Sequence, residues 1–360
     1  MKQGSYVAYV GARTTKARKA RGNGLNVYAF DARTVGWRHL QLVELENPSF
    51  LTFDRTQQFL YTIHGDLDRV SAFRIAPDGT LAFLGTQCTE GKNPVHLAID
   101  PSNRFMIVAN HATSTLALLP RHDDGSLGAV IDLVTIEGQT GPHRVEQPFA
   151  KPHQVEFDPS GKWIVVPDKG IDKVLVYRID EQSGKLVQAF SCDAREGAGP
   201  RHVAFSPGGT LAYVINELNS TVTGYRFEPK DGSLTPFQIL PVLLDTFTGN
   251  SRAAEIAVSN DGRFVYASNR GSDTIAVFEV DAEGKLTPVA STATGGRTPR
   301  FFGLFCQGEL LLAANEDSDT ITTFKIDQNS GRIEQLEPAL SVGSPVCILM
   351  KQAPVRPAAP

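Results

Sequence analysis

Arg201 and Glu217 lie within the stretch GPRHVAFSPGGTLAYVINELNS, which spans Gly199–Ser220. Val203 and Phe205 alternate with His202 and Ala204, the pattern of a short β-strand. Leu211-Ala212-Tyr213-Val214-Ile215 is an unbroken apolar run that predicts a second strand. Ser206-Pro207-Gly208-Gly209 leaves room only for a tight turn, so the two strands run antiparallel. Arg201 at the start of the first therefore lies beside Asn216 and Glu217 at the end of the second. A guanidinium offers a planar fork to carboxylate or phosphate, and a carboxylate at its side can move protons. The hairpin puts anion binding and acid–base chemistry at one end of a β-unit.

The same unit recurs along the chain. It reads as a proline, a short strand, an Asp/Ser-Pro-x-Gly type of turn and an apolar strand ending near Asn. A loop, a third strand, a Gly turn and a fourth strand follow. Copies begin at Pro48, Pro94, Pro152 and Pro200, with a variant at Ala254, another full copy at Pro299 and a last inner strand alone at Pro345. Successive starts are 46, 58, 48, 54, 45 and 46 residues apart. Four short strands per period of this length predict an all-β fold of propeller blades. Tyr6–Val10, Leu25–Phe30 and Leu40–Glu44 form a blade that lacks its inner strand, and Pro345–Met350 supplies it. That makes a single seven-bladed β-propeller over residues 1–352, its four-stranded antiparallel blades including one closed by both termini. The Pro/Ala-rich tail 353–360 is expected to be disordered.

In such a ring the inner-strand starts and second-strand ends meet at one mouth of the central channel. The starts contribute His96, His153, Arg201, Arg300 and, from the variant blade, Glu255. The ends contribute His64, Asn110, His111, Asp168, Glu217, Asn269, Arg270, Asn315 and Glu316. Asn and Asp at these positions can equally tie blade loops together. Arginines are harder to explain that way, since several in one channel repel unless acids or an anion stand between them. His153 and Glu217 have the chemistry of a general acid–base pair, with Arg201 and Arg270 holding or polarising an anionic substrate. His96, Asn110, Asp168, Arg300 and Asn315 are candidate substrate contacts. The long loops Ile136–Lys151, Pro241–Arg252 and the basic Arg13–Gly24 all emerge on this face.

Composition narrows the partners. A net charge of −4, with 21% charged residues, gives no electrostatic footprint for nucleic acid or an anionic membrane. No apolar run is long enough for a membrane helix, and the N-terminal stretch is too short and too alternating for a secretory signal. Cys88, Cys192, Cys306 and Cys347 are widely spaced without a CxxC, which predicts reduced thiols and a cytoplasmic protein. HExxH, zinc spacing, an EF-hand loop, a GxSxG elbow and a phosphate-cradling GxxxxGK[ST] are all missing. The chemistry expected is therefore acid–base catalysis with no metal or other cofactor.

GAGPRHVAFSPGGTLAYVINELNSTV, NPSFL, PVHLAIDPS, the PHQVEFDPSG copy, AAEI, SNRG and TPRFF with AANEDSDTIT together resemble the bacterial seven-bladed propeller lactonase family. That family includes propeller-type 6-phosphogluconolactonases and a fungal 3-carboxy-cis,cis-muconate lactonizing enzyme. The resemblance runs from Tyr9 to Pro345 and implies hydrolysis of a small anionic lactone, or as the alternative a muconate-type cyclisation. A non-catalytic interaction scaffold is the reading from a different class. The family's acid–base and anion-binding residues fall on His153, Arg201, Glu217 and Arg270. Lys151 stands where many members carry the first histidine of His-x-His. Ala257 stands where many have a polar residue after AAEI.

Overall fold

The computed structural model describes residues 4–180 and 182–353. Its strands form seven four-stranded antiparallel sheets arranged as blades. Six blades use consecutive strands, as in Pro200–Phe205, Leu211–Asn216, Thr221–Glu228 and Ser233–Pro241. In the seventh, Pro345–Gln352 pairs antiparallel with Ser5–Ala12, so the C-terminal strand is the inner strand of the blade the N-terminus begins. Joining both ends in one sheet removes the open edges a linear stack would leave. Beyond residue 352, the Ala353 N–H donates to Ser5 O at 3.0 Å. The rest of the tail lies outside the described residues.

The core is not one body but seven. Each apolar cluster fills the seam between two neighbouring blades: Ile107, Leu116 and Leu118 of one pack on Ile164, Val166 and Leu175 of the next. Tyr213, Ile215 and Val222 meet Val265, Ala267 and Phe278 in the same way. Second-strand aromatics carry a polar tip across five of these seams. Tyr9, Tyr61, Tyr213 and Tyr266 donate to Gly79 O, Gly125 O, Gly284 O and Gly331 O at 2.8–3.0 Å. Trp163 does the same to Pro229 O at 2.9 Å. Each accepting carbonyl belongs to a turn before an outer strand of the following blade. An apolar ring with one polar atom can bury its body and still satisfy a carbonyl.

The inner strands carry the irregularity that matters for function. A β-bulge follows the opening residue at Pro48, Pro94, Pro200, Ala253 and Pro299. A bulge sets two residues against one on the partner strand and re-aims side chains. Consecutive residues such as Arg201 and His202 are thereby both buried at the channel instead of alternating away from it. Register also moves the start of the variant copy: Ala253, not Ala254, pairs with Asn269 as Pro200 pairs with Asn216. In the copy beginning at Pro152 only Glu156–Phe157 is strand. There the Gln154 side chain accepts Val203 N–H, and Val155 N–H reaches His96 Nδ1 at 3.4 Å, so the segment bonds to neighbouring blades.

Candidate active site at the channel mouth

In six of the seven blades the second strand ends in a polar residue that ties the blade, followed by a residue at the channel mouth. The first member pairs with the inner strand's opening residue and ties its blade. Asn110 donates to Thr89 O and Thr115 Oγ1, both at 3.1 Å, and Asn315 donates to Thr294 O, Thr320 Oγ1 and Thr322 Oγ1. Asp168 Oδ1 accepts N–H groups of Lys151, Gly170 and Ile171 at 2.7, 2.8 and 3.2 Å. These three, read from the sequence as substrate contacts, are occupied in holding their own blades. Asn216, Asn269 and His64 hold the same position and do the same work.

The second member follows one residue later, where the chain leaves the strand, except at Arg270, which is the strand's last residue. Around the ring these are Arg13, Gly65, His111, Lys169, Glu217, Arg270 and Glu316. Above the bulges a matching ring of inner-strand residues runs Ser49, Val95, His153, Arg201, Ala254, Arg300 and Val346. The two rings meet at the mouth.

Glu217 is the centre of charge. Its Oε2 lies 3.2 Å from Arg201 Nε and 3.2 Å from Arg270 Nη2, and its Oε1 lies 3.2 Å from Lys169 Nζ. Arg252 adds a fourth cation at 3.7 Å. Burial alone would raise the Glu217 pKa, but Arg270, Lys169, Arg201 and Arg300 together hold it well below the usual carboxylate range. A second acid enters from the long loop after Ile136: Glu146 reaches Lys169 at 3.1 Å and Arg252 at 2.8 Å. Arg201 and Arg270 are fixed further by the backbone carbonyls of Ala254 and Ala253.

His153 stands beside this cluster, its ring 5.2 Å from that of His111 and 5.1 Å from that of His202. Its Nδ1 lies 3.2 Å from His202 Nε2. Burial, reinforced by Arg201 and His202, holds its pKa well below the ordinary value, so the ring is neutral with a lone pair on one nitrogen. His153 shares a small cavity with Arg13, Ser49, Arg201 and Arg300. Arg13 is 3% exposed and its Nη1 has no hydrogen-bond partner among the described residues, Asp66 standing 3.7 Å away. The other arginines of the basic loop do not enter the channel: Arg18 pairs with Asp66 and Arg21 with Asp319. Lys151 lays its ammonium 5.0 Å from the centre of the Phe149 ring.

A layer of rings lies beneath the mouth. Phe50 packs on His96 with centroids 4.2 Å apart, and His202 and Phe301 each approach Phe50 from another blade. Phe50, Glu255 and Phe301 line both the mouth cavity and a rear cavity of about 630 Å³. His96 and Glu255, expected at the mouth, therefore belong to this deeper layer, because each is the second residue of its bulge. Lys169, Arg13, Glu146 and Arg252 are the mouth groups that the sequence reading did not select. Lys169 was discoverable by register, since it follows Asp168 as Glu217 follows Asn216.

A seven-bladed ring with a histidine and clustered guanidiniums at one channel mouth has the fold of a β-propeller and a polar site at the end of its channel. The chain belongs to the family described as "Lactonase, 7-bladed beta-propeller", whose model matches residues 7–350. It is 34% identical to the 6-phosphogluconolactonase of Bacillus subtilis over 349 residues, 95% of this chain and 97% of that one. It is 29% identical to the 6-phosphogluconolactonase of Formosa agariphila, covering 79% and 83% of the two chains. The periplasmic gluconolactonase of Pseudomonas aeruginosa superposes with a TM-score of 0.90 at 30% identity, over 97% of this chain and all of that one. Among the described residues no helix is long and apolar enough to cross a membrane.

Proposed function

We propose that the channel mouth hydrolyses the lactone of a phosphorylated sugar acid, with 6-phosphogluconolactone the first substrate to test. One observation carries this reading: His153, neutral and engaged through Nδ1 with His202, shares its cavity with Arg13, Arg201 and Arg300. The 6-phosphogluconolactonases named among the relatives support the choice of substrate.

Hydrolysis needs a base for water, a donor for the developing oxyanion and a holder for the remote anion. His153 Nε2 takes the water proton. Arg201 and Arg270, aligned by Glu217, stabilise negative charge as the carbonyl becomes tetrahedral. Arg13 and Arg300 face the same space, each with an acid only at longer range, Asp66 at 3.7 Å and Glu316 at 3.8 Å, and they hold the phosphate. Glu217 is itself a poor base, because three cations would lose their counter-ion if it took a proton. Its role is to set the arginines. The four free thiols support a reducing compartment for the reaction, as in the cytoplasm.

The test is 6-phosphogluconate formation above the uncatalysed rate, followed by NMR, for wild type, His153→Gln and Arg201→Lys. Each variant is expected to lose on the order of 10²-fold or more in kcat. Equal rates for all three folded proteins would overturn the assignment.

A further inference from the structure

His153 has an unusual problem as a base. Accepting a proton would make it an imidazolium facing Arg201, Lys169 and His111, with burial already opposing the charge. The structure offers the proton a way out. His153 Nδ1 lies 3.2 Å from His202 Nε2, and His202 Nδ1 lies 2.7 Å from Glu255 Oε1. All three side chains are at least nine-tenths buried, and the line they form passes through the ring layer from the mouth to the rear cavity.

We propose that Glu255, His202 and His153 form a proton wire, so that the proton removed from the attacking water is stored on Glu255 while both histidines stay neutral. This rests on the hydrolytic reading of the mouth given above. The hydrogen-bond inventory fixes two self-consistent states. A neutral imidazole has one N–H and one lone pair. When Glu255 is ionised it can only accept, so His202 donates from Nδ1 and accepts at Nε2. His153 then donates from Nδ1, and its lone pair is on Nε2 at the mouth: the base form. When Glu255 carries the proton every bond reverses, and His153 presents Nε2–H: the acid form.

The reaction uses both forms in turn. Water gives a proton to His153 Nε2 as its oxygen bonds to the lactone carbonyl carbon. His153 passes its Nδ1 proton to His202 Nε2, and His202 passes its Nδ1 proton to Glu255 Oε1. The tetrahedral adduct then breaks its bond to the ring oxygen, which takes the proton from His153 Nε2. The wire runs backwards and Glu255 regains its charge. One water has been added across one ester bond, and no imidazolium is formed.

The groups facing the wire agree with this direction. Burial pushes Glu255 up to about 7, against the opposing pull of Arg201, so it can take and return a proton near neutrality. Glu156 faces Glu255 from the rear cavity, Cys347 is a further titratable neighbour, and the His96 ring lies 5.7 Å from that of His202. The Glu255 Oε1 atom also accepts Ile256 N–H at 3.2 Å, and the Glu255 N–H donates to Ser268 Oγ at 3.0 Å, so the carboxyl is held in place. His202 is surrounded by Arg201, Arg300 and Arg270, with Glu217 opposing them, and burial and the arginines exclude its charged form.

The experiment reads the tautomers directly. Long-range ¹H–¹⁵N spectra of histidine-labelled enzyme between pH 5 and pH 9, a range chosen to bracket about 7, are expected to show His153 and His202 exchanging tautomers together in wild type. In Glu255→Gln, whose amide cannot gain or lose a proton, neither exchanges. The same variant is expected to lose about 10²-fold in kcat on 6-phosphogluconolactone with little change in KM, and Glu255→Asp to recover part of it. Wild-type tautomers that stay fixed across the range would overturn the wire, whether or not the variant folds. Exchanging tautomers in an enzyme idle on this lactone would overturn the substrate reading and leave the wire standing.

Discussion

Asp168 and Lys169 are adjacent in the chain and serve opposite sides of the same strand end. Asp168 holds backbone N–H groups inside its blade, and Lys169 reaches Glu217 at 3.2 Å across the mouth. Burial, against its backbone hydrogen bonds, raises the Asp168 pKa from its ordinary 3.8 to about 6, and its Oδ2 has no partner. Four other blades have Asn at this position. A raised acid contributes stability that is complete below its unfolded pKa and is lost as pH rises through the folded value. Asp168→Asn is therefore expected to be neutral near pH 4 and to gain on the order of 1 kcal/mol over wild type by pH 8. Urea unfolding at the two pH values measures this, and equal differences at both would contradict it.

Lys169 makes the opposite prediction. Glu146, pulled below its usual range to about 2 by Arg252 and Lys169 despite burial, and Glu217, held well below its ordinary value by Arg270, Lys169 and Arg201, stabilise the fold while ionised. That contribution is present above their unfolded pKa of about 4.5 and disappears as pH falls through the folded values. Lys169→Met removes a shared cation and lets both rise. The acid-unfolding midpoint, followed by tryptophan fluorescence, is expected to move to higher pH. An unchanged midpoint would show that the arginines alone carry the effect.

The blade count, the shared blade and the Arg201–Glu217 pair were legible because each depends on a local pattern: strand alternation, turn residues, and a proline opening six of the seven blades. What was not legible depends on register. The bulge after Pro200 cannot be seen in PRHVAF, yet it alone puts Arg201 and His202 both at the channel. Without it, His96 and Glu255 looked like members of the mouth ring. Asn110, Asp168 and Asn315 were selected in place of their neighbours because a second-strand end offers two polar residues and only one faces the channel. Arg13 was hidden for a different reason. The strand it follows pairs, through Ala12, with Pro345 at the far end of the chain, so the split blade shows no proline upstream to align it.

Seam bonds give a prediction independent of catalysis. Tyr266 is fully buried and its hydroxyl supplies the bond to Gly331 O at 3.0 Å. Tyr266→Phe keeps the ring and strands the carbonyl, which is expected to cost about 1–2 kcal/mol by chemical denaturation. Activity at temperatures well below the transition should not change, and a fall in kcat without a loss of stability would contradict a purely structural role.

Glu217 should be replaceable, in part, by an anion. Glu217→Gln leaves Arg201, Arg270 and Lys169 without their common counter-ion in a buried site, a loss on the order of 3–5 kcal/mol. Inorganic phosphate binding among the cations of the folded state raises the melting temperature by mass action. The rise is expected to be larger in Glu217→Gln than in wild type. Identical shifts in the two proteins would place phosphate elsewhere.

Arg13 gives a test of whether the substrate carries a phosphate. In the blade beginning at Pro48 the channel-facing position is Gly65, and a Cβ there would sit 2.1 Å from Arg13 Nη1 and 2.6 Å from Ser49 Oγ. The missing side chain of one blade is the space taken by the guanidinium of its neighbour. Burial and the nearby Arg300, against Asp66, lower the Arg13 pKa only to about 10, so it stays cationic at neutral pH. If this charge holds a remote phosphate, Arg13→Ala loses binding only for substrates that have one. KM for 6-phosphogluconolactone is expected to rise about tenfold to a hundredfold, the range for losing one charge-assisted contact. KM for the unphosphorylated gluconolactone should stay within about twofold, since it never made the contact. Gly65→Val should reproduce the pattern without touching Arg13, by pushing its guanidinium out of the cavity. Parallel losses on both lactones would instead place Arg13 at the reacting carbonyl.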